Sequence, residues 1–293
     1  MTGTALENKV DEMVELIDQL QPNVANEAKN IAFMSSAELF RQKVAPVYYR
    51  RKREDVLTEL PELIETDAWC SLNEEEKTKY ENNILSTNRN YMAIRRVSFD
   101  IDDLKYSSKA QRLKELVEEA KQDGRKVIVF SFFLETIDKI FNYFHDICLF
   151  PITGALTPQK RQEIIDEFDN SPPGTMLVSQ IQAGGTGLNI QSASVVIITE
   201  PQWKPSIEDQ AISRAYRMGQ SRNVLVYRLL CENTVDEKIR DLLRSKQEIF
   251  DTFADKSVAA EANAEIDNKT FGDIIKEEID RINKERSEAT YSN

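Results

Sequence analysis

The stretch MLVSQIQAGGTGLNIQSASVVIITE, residues 176–200, sets two short apolar runs on either side of a patch holding three glycines and a threonine, Gly184, Gly185, Thr186 and Gly187. Each apolar run reads as a buried strand, being short and rich in valine and isoleucine. Glycine weakens both helices and strands. Three of them between two strands therefore serve the backbone itself, which can approach a ligand closely there.

The pattern continues in both directions. KVIVFSFF (126–133) is a strand, and LETIDKIFNYFHDI (134–147) carries apolar residues at helical spacing. ICLFPITG (147–154) reads as a second strand. LTPQKRQEIIDEFDN (156–170) is a helix with Thr157 as N-cap and Pro158 at its first position. GTMLVSQ (174–180) and SVVIITE (194–200) are the third and fourth strands. A helix is expected from about Ser206 to Met218, then strand VLVYRLL (224–230) and helix TVDEKIRDLLRSKQEIFDTF (234–253). Strand and helix in turn predict the α/β class, a parallel sheet flanked by helices on both faces.

The flanks lack this rhythm. Residues 10–20 begin an amphipathic helix. Residues 21–106 read as a mostly helical insertion and linker with one extended piece, LIETDAWCSL (63–72), and Trp69 is expected in its core. The acidic tail, 255–293, contains a helix-compatible segment, FGDIIKEEIDRIN (271–283), expected to be loosely attached.

Composition narrows the function. The 293 residues carry a net charge of -12, which argues against a surface that is basic throughout, yet residues 107–250 balance 18 basic against 19 acidic side chains and leave room for a local basic cleft. Cys70, Cys148 and Cys231 form no CxxC pair, so neither a disulfide framework nor a zinc knuckle is expected, and a reducing compartment is favoured. No apolar run reaches the ~20 residues of a membrane span, so no membrane partner is expected. His145 has no carboxylate or cysteine company in its helix and reads as structural.

Ligands of parallel sheets sit beyond the carboxyl ends of the strands. Ser131, Thr153, Gly154, Ser179, Gln180, Glu200, Pro201 and Trp203 all fall there. Turns collect such residues for their own reasons, but that does not explain the glycine patch or the helix after Trp203. On that helix Gln210, Arg214 and Arg217 stand at i, i+4 and i+7, one face, with Gly219 ending it. Two arginines on such a face make a phosphate clamp, because each guanidinium is always charged and grips phosphate oxygens as a planar fork. The alternative is a solvated stripe in which Arg214 pairs with Asp209 or Glu208. Trp203 either stacks on bases or packs its loop.

SQIQAGGTGLNIQSASVVIITEPQWKPSIEDQAISRAYRMGQ (179–220) closely resembles the fifth and sixth motifs of the Swi/Snf-type ATPases, DNA translocases of helicase superfamily two. KVIVFSFF resembles the fourth, ITGALTPQKRQEIIDEF the segment after it, RRKREDVLTELP (50–61) the linker between lobes, and VLVYRLLCENTVDEKI (224–239) the closing strand and bracing helix. TGTALEN (2–8) resembles the third motif, at the end of the first lobe. The chain departs from the family at Ala5, Lys204, Ser213 and Tyr216, where Pro, Asn, Asp and His are usual.

The resemblance implies a RecA-like lobe of P-loop NTPase type over 107–254, preceded by the end of a first lobe at 1–20. No GxxxxGK[ST] and no DExH-type run occurs in the sequence, so an N-terminal P-loop lobe, in the same protein or a split partner, is expected to hold ATP and Mg2+. Arg214 and Arg217 are then arginine fingers. Gln210, Gly187, Asn189, Gly3 and Thr4 lie near the nucleotide. Ser131, Ser179, Gly184, Gly185, Thr186, Trp203 and Arg51 face double-stranded DNA. The chain alone is expected not to hydrolyse ATP. Such a protein would be cytoplasmic, on the nucleoid in a bacterium, or nuclear in a eukaryote. A DNA-binding or regulatory module without ATPase activity is the competing reading, against which the two arginines speak. A dinucleotide-binding domain would want GxGxxG after the first strand, and FSFFLET does not supply it.

Overall fold

Valine, isoleucine and leucine without a polar partner face recur along four apolar runs, and the chain buries both sides of each. The computed structural model describes residues 10–26, 60–183, 188–254 and 268–291. Gly3, Thr4, Arg51, Gly184, Gly185, Thr186 and Gly187 lie outside the described residues. The strands are β1 (Leu63–Cys70), β2 (Lys126–Ser131), β3 (Met176–Gln180), β4 (Ala193–Ile198) and β5 (Val224–Cys231). They form one sheet in the order β1-β5-β4-β2-β3, and every pairing is parallel. The expected fold class is observed.

Alternation of side chains splits the core in two. Val127, Val129, Met176, Val178, Val195 and Ile197 pack on one face with α4 (Ser108–Gln122) and α5 (Leu134–Tyr143). Ile128, Phe130, Leu177, Val196 and Ile198 pack on the other with α6 (Pro158–Asn170) and α7 (Pro205–Ile212). Thr157 caps α6 through Lys160 N, with Pro158 in the first turn, as the sequence signals.

Three expectations are corrected here. Segment 147–154 is not a strand but makes two isolated bridges, Cys148 to Met176 and Ile152 to Ser179. Pro151 lies between them and has no N–H to continue a ladder. The extended piece at 63–72 is not part of a separate appendage: β1 pairs with β5 over eight residues, from Leu63–Val224 to Cys70–Cys231. It is an edge strand, and Trp69 on it is 39% exposed rather than core.

The remaining insertion packs on the sheet domain. It contributes α2 (Glu74–Leu85), with an Asn73–Glu76 capping box, and α3 (Tyr91–Arg96). The tail helix α9 (Asn268–Tyr291) is not loose either. It buries Phe271, Ile274, Ile275 and Ile282, and the Tyr80 hydroxyl of α2 meets the buried Glu278 carboxylate at 3.2 Å. Residues 59–240 and 267–293 thus form one compact unit. The second unit contains, among the described residues, α1 (Val10–Leu20), which buries Val14 and Ile17, and the part of α8 (Val235–Ala254) from Asp241 onward. Among the described residues no helix is long and apolar enough to cross a membrane.

Candidate functional site

β2 leads to its neighbour β3 on one side, and β4 leads to β5 on the other, so the chain diverges between the tips of β2 and β4. That divergence is the usual ligand crevice of a parallel sheet. In this chain a carboxylate fills it from within. Glu200 is buried and accepts from Ser131 Oγ (3.0 Å), Phe132 N (2.6 Å), Gln202 Nε2 (3.1 Å) and the Thr199 hydroxyl. Burial raises the Glu200 carboxyl above its ordinary range, opposed by the Phe132 and Thr199 hydrogen bonds and by the charges of Arg95 and Lys109.

The arginine pair sits farther along this edge. α7 ends at Ile212, so Arg214 and Arg217 do not continue the helix that carries Gln210. They ride on tight turns instead: Arg214 N donates to Ala211 O (3.2 Å) and Ala215 N to Ile212 O (3.1 Å). Ser213, where the helix stops, turns its hydroxyl back onto Gln210 O at 2.7 Å, a bond that competes with helical continuation. Three staples hold the turn. Ile190 N donates to Arg214 O (3.0 Å). Gln220 Nε2 donates to the carbonyls of Gln191 (3.0 Å), Ala193 (3.0 Å) and Ala215 (3.2 Å). Gln191 Nε2 donates to Met218 O. Gly219 has φ +95, a backbone that side-chain-bearing residues rarely adopt, and a Cβ there would meet Gln191 at 3.2 Å.

Arg214 and Arg217 are half-buried, and among the described residues neither guanidinium has an ion-pair partner. Glu208, one of the two carboxylates that the solvated-stripe alternative offers to Arg214, is committed elsewhere: it pairs with Arg228 Nε at 2.6 Å and accepts from Gln202 N at 3.1 Å. Arg214 Nε is sealed from solvent without a hydrogen-bond partner among the described residues, and burial pulls its guanidinium below its ordinary value. A cation in that state gains from an incoming anion.

Comparison with known proteins places the fold among known families. The helicase conserved C-terminal domain family matches residues 108–219. An uncharacterized ATP-dependent helicase of Mycoplasma pneumoniae is 30% identical over 280 residues, covering 85% of this chain and 27% of that protein. The DNA excision repair protein CSB of Oryza sativa is 28% identical over 290 residues, covering 82% and 24%. The Sulfolobus solfataricus SWI2/SNF2 ATPase core domain superposes with a TM-score of 0.57 at 26% identity, covering 93% of this chain and 63% of that one. This chain carries a helicase C-terminal lobe of the SWI2/SNF2 type. It spans about a quarter of the length of the curated relatives it matches. The C-terminal part of the Fun30 ATPase domain, at 18% identity and a TM-score of 0.60, shows the same fold.

Within this SWI2/SNF2-type lobe the expected site residues separate into groups. Asn189 and Gln210 are exposed on the arginine side. Ser131 and Ser179 are 0% and 1% exposed, with hydroxyls turned to Glu200 (3.0 Å) and Gln180 O (3.4 Å), so they do not offer them to a ligand at the surface. Trp203 is packed in its loop, under the Arg95 guanidinium (4.8 Å) and beside Phe271 (5.8 Å between ring centres). His145 is a surface residue, 3.2 Å from Asp146. Among the described residues no group of three or more His, Cys, Asp or Glu side chains converges as a metal site.

Four residues of this edge escaped the sequence reading: Glu200 as a hub, Gln220 as a staple, Arg161 and Arg95. Arg161 donates to Ala183 O (2.6 Å) and Gly154 O (3.0 Å), and Gly154 N donates to Gln180 Oε1 (3.0 Å), so the entrance to the glycine loop is bolted to the segment before α6. A charged residue directly after the apolar run VVIIT was a usable signal for Glu200. Arg161 and Arg95 lie on solvent-like helical spacing and gave none.

Proposed function

We propose that this lobe works opposite a P-loop lobe as the second half of a DNA-dependent ATPase and duplex translocase, with Arg214 and Arg217 as the groups that reach ATP. The observation that carries the reading is the Arg214 guanidinium: half-buried, unpaired among the described residues, with a sealed and unpartnered Nε. The residues fit a nucleotide polyphosphate, since two fixed forks with open donors match its oxygens. ATP supplies a phosphoryl group that develops charge in flight, and Mg2+ is expected on the P-loop side. The chain's own part is positional. Gln220, Gln191 and the Ile190–Arg214 bond hold the backbone turn that carries both arginines, and the exposed Gln210 and Asn189 offer neutral donors nearby in the chain.

The DNA half of the reading draws on the Sulfolobus solfataricus SWI2/SNF2 core solved with dsDNA, which is 26% identical and covers 89% of this chain with a TM-score of 0.54. Backbone N–H groups of the glycine loop suit sequence-independent contact with one phosphate strand. Ser131 and Ser179, whose hydroxyls are buried on Glu200 and Gln180 O, are not expected to touch DNA. On this reading the protein acts wherever duplex DNA is found.

The test is ATP hydrolysis by the chain joined to a P-loop lobe, with and without duplex DNA, beside the chain alone. The reading predicts turnover only with both lobes, rising with duplex. DNA binding by the chain alone, with no turnover after the second lobe is supplied, points to a DNA-binding module and against an ATPase half.

A further inference from the structure

Arg95 is a buried cation with almost no hydrogen bonding of its own. It is 6% exposed, and its one hydrogen bond among the described residues is a long contact from Nη2 to Pro201 O at 3.4 Å. A guanidinium has five N–H groups to satisfy. Aromatic faces hold this one instead: its carbon lies 4.8 Å from the Trp203 ring centre, 5.4 Å from Phe132 and 5.2 Å from Phe133. Burial lowers its ordinarily high pKa, opposed by Glu200. An apolar side chain of similar length would fill this space without burying a charge. The use of the charge therefore lies in orientation, because a planar cation stacks on aromatic faces in few arrangements.

The rings come from two different places. Phe132 and Phe133 follow β2, and Trp203 follows β4, so Arg95 of α3 spans the point where the chain diverges. Trp203 is two residues ahead of Pro205, where α7 starts, and Gln202 N is bonded to Glu208 of α7 at 3.1 Å. A shift of Trp203 is thus passed to α7 and to the arginine turn after it. Arg96 of α3 adds a second hold on the β2 side, 5.8 Å from the Phe133 ring centre and paired with Glu135 at 2.9 Å, whereas Arg95 reaches both loops.

We propose that Arg95 is a positioning residue for the nucleotide-facing arginines: it sets the spacing of the β2 and β4 tip loops and so the position of α7 and Arg214. This rests on the reading that Arg214 and Arg217 face ATP. It assigns a role to α3, which lies outside the residues matched by the helicase family.

The experiment compares Arg95→Met and Arg95→Lys in the chain joined to a P-loop lobe. Arg95→Met is expected to lower kcat of DNA-stimulated hydrolysis by about 10- to 100-fold, since misplacement of catalytic groups by ~1 Å has that effect. The ATP KM stays within about threefold, because ground-state binding is untouched. Arg95→Lys keeps the charge but loses the planar stack, and falls between. A Trp69→Phe background leaves Trp203 as the sole tryptophan of the chain, and its emission is expected to shift with Arg95→Met and Arg95→Lys. If Arg95→Met does not fold, Arg95→Lys carries the test. Wild-type kcat with unchanged Trp203 emission, or a change confined to KM, overturns the proposal. Arg217→Ala is run in parallel: if it leaves turnover intact, the ATP-facing reading has failed, while the Trp203 spectrum still reports on Arg95.

Discussion

Ile190 donates its backbone N–H to the carbonyl of Arg214 at 3.0 Å. This one bond joins the exit of the glycine loop to the turn that carries the arginines. Ile190 and the backbone turn of the arginines are therefore joined, and a displacement of one is passed to the other.

Gln220 is the bolt of that piece, buried with its amide shared among three carbonyls and its Oε1 accepting from Arg222 N at 3.1 Å. Gln220→Ala leaves buried carbonyls unpaired and is expected to lower stability by about 1–3 kcal/mol. Urea unfolding reads the loss. Hydrogen exchange at Ile190 should quicken by ~10-fold or more if the turn loosens locally by the same free energy. Unchanged Ile190 protection would show that Gln220 does not hold the turn.

Lys109 and Asp236 form a fully buried pair at 2.6 Å, with Lys109 Nζ also donating to Thr199 O at 3.0 Å. Burial pulls the Lys109 ammonium down, but the charge of Asp236, its hydrogen bond, Cys231 and Glu200 together outweigh it, and the net direction is up. Lys109→Met strands the carboxylate and is expected to cost about 3–5 kcal/mol. Adding Asp236→Asn should recover much of that, since no buried charge is then left alone. Two losses that simply add would contradict the coupling.

The tail helix supports the sheet domain. Ile282 is 0% exposed, and Ile282→Ala is expected to lower stability by roughly 2–5 kcal/mol. A loss under ~0.5 kcal/mol, the size of a surface change, would mean that α9 is not docked as described.

Burial pushes the Cys70 thiol up to about 11 and the Cys148 thiol up to about 12, and raises Cys231 as well. A group whose folded pKa is raised stabilises the fold below its unfolded value and loses that contribution as pH climbs to the folded value. The expected window of alkaline destabilisation therefore opens near pH 9 and runs to about 11–12. In the folded protein at pH 8 all three thiols should resist a thiol reagent and react on unfolding. Rapid reaction of the native protein at pH 8 would contradict the burial.

Much of the architecture was legible because parallel strands buried on both faces leave continuous apolar runs, as in KVIVF and SVVII. The arginines stood out through the motif around them. What stayed hidden depended on long-range pairing. LIETDAWC alternates like an exposed segment because β1 is an edge strand, and only its register with β5 shows its place. The run ICLFPITG has strand composition, but Pro151 breaks the ladder. Arg214 and Arg217 have helical spacing, yet Ser213 ends α7 before them. Buried hubs such as Glu200 and Arg95 look like surface charges until their partners, 68 and 106 residues away in the chain, are known.

The central claim is that two guanidinium groups of this lobe complete an ATP site on another. The most direct measurement is steady-state ATP hydrolysis, with saturating duplex, by the chain joined to a P-loop lobe, comparing Arg217→Ala and Arg214→Ala with the parent. Turnover is expected to fall at least ~100-fold for Arg217→Ala, as arginine fingers contribute elsewhere, while ATP still binds. Turnover that survives both substitutions unchanged would contradict it.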